Sequence, residues 1–178
     1  MNNLSNQNNK KILILGASGK IGNTLYHSIK KHYYTVGTYF NNQRKDLIKF
    51  DINKNSLFKL IKKKSISHII LCQGIVNFDQ ISKDPKKAED TNLKSLIKQL
   101  KEIKDNNYIN VIFFSSESIF DGNVGNYTEE SSPNPIFSYG NQKLVIENFI
   151  KSNFQNHLIL RLSKVYDSEI NEQKSLIV

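Results

Sequence analysis

The sequence predicts an α/β protein: a Rossmann-like, doubly wound parallel sheet of strand order 3-2-1-4-5-6 with helices on both faces. Short apolar runs alternate with amphipathic helical stretches along the chain, a pattern that right-handed crossovers turn into a parallel sheet. The first apolar run stops at a glycine-rich turn that opens a helix. The 178 residues, 38% of them hydrophobic, suffice for one domain with its own core and are too few for two.

Lys11 to Leu15 (KILIL) is too short for a helix and ends at glycine, which predicts a buried strand. A helix follows from about Lys20 to His32, with Ile21, Leu25 and Ile29 on one face. Tyr33 to Phe40 is rich in β-formers, and Leu47 to Ile52 predicts a third strand after a polar turn. Asn55 to Lys64 predicts a helix, closed by Lys62, Lys63 and Lys64 where cations oppose the negative end of the macrodipole. Ser67 to Cys72 is the fourth strand. Asp84-Pro85 has the form of an N-cap followed by first-turn proline, opening a long helix to about Asp105. Tyr108 to Phe114 is the fifth strand, Ile136 to Asn153 a helix, and His157 to Leu162 the sixth strand.

The net charge of +9 invites a nucleic-acid reading, but its distribution argues otherwise. All but two of the 25 basic residues are Lys, and Asn and Ile are equally abundant, as AT-rich codons produce. In Leu93 to Lys104, Leu93, Leu96, Ile97, Leu100 and Ile103 trace an apolar stripe while Lys94, Lys98 and Lys101 take the other side. Solvated helix faces therefore account for the charge better than a phosphate-binding patch, and no nucleic-acid partner is expected. Cys72, the one cysteine, allows no internal disulfide or zinc-ligand spacing; no metal is expected, and a reducing cytoplasm suits it. Residues 1–10 form a polar, Asn-rich leader without a signal-peptide core, and no apolar run approaches the roughly 20 residues that span a bilayer. A cytoplasmic protein without membrane association is expected, with residues 11–178 as a single domain.

Gly16-Ala17-Ser18-Gly19-Lys20-Ile21-Gly22 follows the first strand with GxxGxxG spacing. In such a turn the first glycine permits the bend, the second lets the backbone approach a pyrophosphate, and the third packs helix against strand. The segment after the second strand, Thr38 to Arg44, has no carboxylate to bind a ribose 2′-hydroxyl. Arg44 and Lys45 stand near enough to meet a 2′-phosphate, so NADPH is favoured, with NADH the alternative. Asp51, closing the third strand, is expected near an adenine edge or as a cap of the next helix.

Tyr139 and Lys143 stand four residues apart near a helix start, hence on one face. A fixed ammonium beside a phenol favours the phenolate and brings a reference pKa of about 10 closer to use in acid-base chemistry. The fifth strand ends in Phe114-Ser115-Ser116-Glu117, where ligands of open α/β sheets collect. A serine there can hydrogen-bond a carbonyl oxygen, or simply cap a turn. In this order the residues fit a carbonyl reduction.

Together these motifs resemble the extended short-chain dehydrogenase/reductase superfamily and, within it, the sugar-nucleotide reductases related to dTDP-4-dehydrorhamnose reductase. The likeness runs from Lys11 to Tyr166 and includes Phe114 to Gly122, Tyr127 to Glu129, Pro133 to Pro135, Tyr139 to Lys143 and Leu160 to Tyr166. It implies an NADP(H)-dependent reductase of a sugar-nucleotide ketone, with a homodimer as an assembly it allows. Ser116 would hold the substrate carbonyl, Tyr139 donate the proton, and Lys143 support Tyr139 while bonding the nicotinamide ribose. Cofactor contacts would come from Gly16, Ser18, Gly19, Lys20, Ile21 and Gly22 in the first turn, from Asp51 and Ile52 after the third strand, and from Gln73 and Gly74 after the fourth. Asn92 would support the site from the following helix. The chain departs from the family at Ser116-Glu117, Ser118, Gln142 and Lys164; the last two are expected to flank the sugar. Family members continue into a segment that covers the sugar nucleotide, whereas this sequence stops at Val178, so substrate recognition is expected to be mostly missing. A non-catalytic nucleotide-binding or regulatory module, or an epimerase or dehydratase on the same scaffold, remain the alternatives.

Overall fold

The structure is a computed structural model, and it describes residues 10–163 and 165. Six parallel strands form one sheet in the order β3-β2-β1-β4-β5-β6, with β1 (Lys11–Leu15) between β2 (Tyr34–Tyr39) and β4 (His68–Leu71). The expected strand order is the one observed. β3 (Ile48–Lys49), β5 (Asn110–Ser116) and β6 (His157–Leu162) complete the sheet.

Alternation along the strands divides the apolar side chains between two layers. On one face Leu13 and Leu15 of β1, Ile69 and Leu71 of β4, and Val111 and Phe113 of β5 pack with α2 (Leu57–Lys64), α5 (Ser95–Ile103) and α6 (Ser138–Asn153). On the other, Ile12, Ile14 and Ile70 meet Tyr26, Leu25 and Ile29 of α1 (Lys20–Ile29). Leu13, Ile69 and Leu100 are completely buried, each such side chain contributing about 1.5 to 3 kcal/mol relative to exposure.

The predicted apolar stripe holds: Leu96, Leu100 and Ile103 are buried, whereas Lys94, Lys98 and Lys101 face solvent. Four expectations are corrected. The third strand is only two residues long, because Phe50 and Ile52 turn into the core and Asp51 opens a turn. Ser56, not Asp51, caps α2, accepting from the Lys59 amide. A short helix absent from the sequence reading, α3 (Phe78–Lys83), is capped by Asn77. The long helix is α4 (Pro85–Glu89), capped by Asp84 as expected, then a π-helical turn over Asp90–Lys94 that leads into α5.

A buried ion pair joins α6 to β6. Glu147 is fully buried, and Arg161 meets it with two nitrogens, Nε at 3.2 Å and Nη2 at 2.9 Å. Burial alone would raise the Glu147 carboxyl; the Arg161 guanidinium, the Ser115 hydroxyl and Lys151 together bring it below the usual value. Arg161→Leu should lower the unfolding free energy by about 3 to 5 kcal/mol in urea titrations, since a buried carboxylate loses its main partner. Removing both charges with Glu147→Leu and Arg161→Leu should recover most of that loss. An Arg161→Leu chain as stable as the parent would contradict this account.

Candidate active site

The turn after β1 is shaped by backbone contacts. Gly16 has φ of +83°, and a β-carbon there would lie 2.8 Å from the Gln73 backbone on the adjoining β4 turn. A β-carbon at Gly22 would collide with the Gly16 carbonyl oxygen. The Gly16 amide donates to Thr38 Oγ1 at 3.1 Å, so the turn is pinned across the sheet to β2. Gly19 is the N-cap of α1, and no side chain caps it. Its exposed backbone lets a ligand approach the helix start.

A cleft beyond the carboxyl ends of β1, β4 and β5 gathers nine of the predicted residues: Gly19, Lys20, Ile21, Gly22, Gln73, Gly74, Ser116, Tyr139 and Lys143. Gly16, not itself a lining residue, abuts the Gln73 backbone, and Asn92 holds the turn after β4. Asn92, buried in the π-helical turn, accepts from the Ile75 amide at 2.7 Å and donates to the Ile75 carbonyl at 2.8 Å. Asp51, Ile52 and Arg44 do not line the cleft. Asp51 accepts from the Asn53 amide at 2.9 Å, Ile52 is buried in the core with its carbonyl bonded by Gln99, and Arg44 is exposed in the loop before β3. Ser18 is half-buried within the β1 turn. Gln142, expected beside the sugar, is instead buried against Asn92; Lys164 lies outside the described residues.

Ser116 ends β5. Its hydroxyl caps the one-turn 3-10 segment Glu117–Ile119 by accepting from the Ser118 amide, and also donates to Ser118 Oγ at 3.1 Å. It is therefore both a capping serine and part of the cleft wall. Lys143 points Nζ at the Phe114 carbonyl, 2.7 Å away, and lies 4.7 Å from the Phe113 ring and 5.5 Å from that of Tyr139. Burial lowers its ammonium from the usual 10.5 to about 8. The expected lowering of Tyr139 is not found: burial pushes the phenol up to about 12. With its ammonium bonded to a carbonyl and over the ring, Lys143 does not outweigh desolvation at the hydroxyl. Cys72 also lines the cleft, and burial pushes its thiol up to about 12, leaving it neutral and unreactive.

Several contributors escaped the sequence reading. Gly140, following Tyr139, brings α6 so near the 3-10 turn that a β-carbon would collide with the Ser118 carbonyl; a glycine inside a helical pattern is the signal of such an approach. Asp121 accepts from the Tyr127 hydroxyl, the Asn123 amide and Asn134 Nδ2, which hold its carboxyl down at about 2 and tie the β5–α6 loop together. Arg161, a charge within an apolar strand, bonds the Glu129 carbonyl of that loop.

A nicotinamide dinucleotide fits this set of residues. The turn leaves no room for side chains where phosphates would approach, and Gln73 Nε2 is buried beside the cleft without a hydrogen-bond partner among the described residues, a donor available to a ligand. Among the described residues no cluster of three or more His, Cys, Asp or Glu could hold a metal ion, and no helix is long and apolar enough to cross a membrane.

The sheet order, the glycine turn after β1 and the Ser116, Tyr139 and Lys143 side chains converging beyond β5 define a short-chain dehydrogenase/reductase scaffold of the extended type. The chain belongs to the family described as the RmlD substrate binding domain, whose model matches residues 10–177. It is similar to methionine adenosyltransferase 2 subunit beta of Bos taurus, 27% identical over 160 residues that cover 89% of this chain and 48% of that protein. A solved structure of a hypothetical dTDP-4-dehydrorhamnose reductase from Sulfolobus tokodaii matches with a TM-score of 0.75 and 29% identity, over 88% of this chain and 56% of that one. UDP-glucuronic acid 4-epimerase from Bacillus cereus, in complex with NAD, matches with a TM-score of 0.74 and 26% identity, over 88% and 57% of the two chains. The chain thus spans about half the length of the curated relatives it matches.

The lowered Lys143 value has a measurable consequence. Between about 8 and 10.5 the unfolded chain binds more protons than the folded one, so this group makes stability rise with pH across that window. Thermal unfolding of the parent and of Lys143→Met at pH 7 and pH 10 should show the parent gaining on the variant at the higher pH. An unchanged difference would mean that the ammonium is not desolvated.

Proposed function

We propose that the chain is the cofactor-binding part of an NADP(H)-dependent reductase of a 4-keto sugar nucleotide, with dTDP-4-dehydrorhamnose the first candidate substrate. The observation that carries this reading is the convergence of Ser116, Tyr139 and Lys143 on one cleft with the Gly19–Gly22 turn and Gln73. The names of the matched reductase and epimerase support the substrate class. The lack of a carboxylate between Thr38 and Arg44 supports NADPH over NADH. Residues 11–178 act in this reading as one NAD(P)-binding unit in the cytoplasm, where Cys72 stays reduced.

A reduced nicotinamide, held by the Gly19–Gly22 turn and Gln73, would supply the hydride for the carbonyl carbon. Ser116 Oγ then turns its proton from Ser118 to the carbonyl oxygen and steadies the charge that develops there. The Tyr139 hydroxyl transfers its proton to the same oxygen, giving the alcohol and a phenolate. An alkoxide is a much stronger base than a phenolate, so the transfer runs downhill even from a phenol near 12. The Lys143 ammonium stabilises the phenolate, which regains a proton from solvent.

NADPH oxidation with dTDP-4-dehydrorhamnose and related 4-keto sugar nucleotides, run beside an NADPH titration, tests the proposal. Tyr139→Phe should cut turnover at least about a hundredfold, the usual worth of a positioned general acid, while leaving NADPH affinity intact. Retained turnover would sink the assignment.

The match to a subunit of methionine adenosyltransferase favours a second reading, a non-catalytic nucleotide-binding module. NADPH binding without reduction of any of these ketones would select it. Turnover on tightly held NAD with no net use of reduced cofactor would instead select an epimerase.

A further inference from the structure

We infer that Gln142 is a positioning residue that sets the first turn of α6, and with it Tyr139, against the turn that follows β4. Two elements from different parts of the chain must be held in register here. The β4 turn carries Gln73 and Gly74, and the start of α6 carries Tyr139. Asn92 locks the former through its reciprocal pair with Ile75. No acidic residue stands in the first turn of α6 to anchor it electrostatically.

Gln142 supplies the missing connection. Its side chain is almost fully buried, at 4% exposure, and uses both ends of the carboxamide. Oε1 accepts from Asn92 Nδ2 at 3.3 Å, and Nε2 donates to Ser138 Oγ at 3.3 Å. A continuous path therefore runs from the Ile75 backbone through Asn92 and Gln142 to Ser138, the residue before Tyr139. A serine or threonine at position 142 is too short to span it. Gly140 brings the helix against the Ser118 carbonyl of the 3-10 turn, and the Gln142 bridge ties the same helix start to the β4 turn.

The inference rests on the reductase reading for its catalytic consequence and on geometry alone for the bridge, so two readouts are needed. Gln142→Met keeps the length and removes both bonds, Gln142→Glu keeps an acceptor for Asn92 and for the Ser138 hydroxyl, and Ser138→Ala cuts one end at an exposed site. Hydrogen exchange on the full chain should show the amides of residues 141–144 opening about tenfold faster in Gln142→Met, as expected for two lost neutral bonds, with 148–150 unchanged. Ser138→Ala should fall between, and Gln142→Glu should match the parent. Equal exchange in the parent and in both bond-removing variants would overturn the bridge. With NADPH and a 4-keto sugar nucleotide, Gln142→Met should lower kcat about tenfold at nearly constant KM, with recovery in Gln142→Glu. Faster exchange with unchanged kcat would overturn the positioning role. A parent chain that does not turn over would sink the reductase reading, while the exchange result still decides the bridge.

Discussion

The carbonyl oxygen of Gly16 lies so close to Gly22 that no β-carbon fits between them, and this contact sets the angle at which α1 leaves β1. The rest of the cleft is arranged around that angle. Because Gly16 also donates to Thr38 and abuts the Gln73 backbone, the turn is fastened to both strands that flank β1. Thr38 cannot serve a ligand while its hydroxyl holds the turn, so selection at the second strand is left to the exposed residues beyond it. The start of α1 is thereby aimed over the carboxyl edge of the sheet, facing the wall that β5 and α6 build.

That wall combines neutral acids with a weakened cation. Tyr139 and Cys72 are held in their protonated forms by burial, and Lys143, under the same desolvation, keeps its charge less firmly than an ordinary lysine. A phenol pushed upward is a poorer acid at rest, yet its conjugate base is correspondingly eager to be reprotonated. An ammonium near 8 beside it is charged at neutral pH and close to losing that charge just above. At neutral pH the phenol is therefore protonated and the ammonium charged, the resting states from which a proton can pass to a newly formed alkoxide.

Much of the fold was legible because burial imposes strict periods. KILIL and HLILRL match their strands to the residue, and the helix of Leu93 to Lys104 shows its apolar stripe directly. Where local and tertiary demands diverged, the pattern misled. LIKFDI has the composition of a strand, but Phe50 and Ile52 are apolar for the sake of the core and only Ile48 and Lys49 pair as a strand with β2. The motif residues of the cleft were visible from spacing, because glycines and the Tyr139–Lys143 interval are constrained by adjacent chain. The Gln142 bridge was missed for the opposite reason, since a contact spanning 50 residues of sequence leaves no local periodic trace, and the Asx turn at Asp51 in place of a helix cap leaves none either.

The Glu147–Arg161 pair shows why such long-range contacts matter to the site. Two charges removed from water stabilise little by themselves, since desolvation offsets most of their attraction. What they confer is direction. Arg161 has its remaining nitrogen, Nη1, on the Glu129 carbonyl and its guanidinium near the Phe120 ring, so one side chain ties β6, α6 and the β5–α6 loop at a fixed mutual distance. Phe120 in turn stacks on Tyr127, and Tyr127 bonds Asp121, carrying the constraint through the loop to Asn134. An apolar residue at 161 would pack as well but could not specify that distance. The buried charge is therefore best understood as holding the loop beside Ser116 and Ser118 in one position, at little net gain in stability.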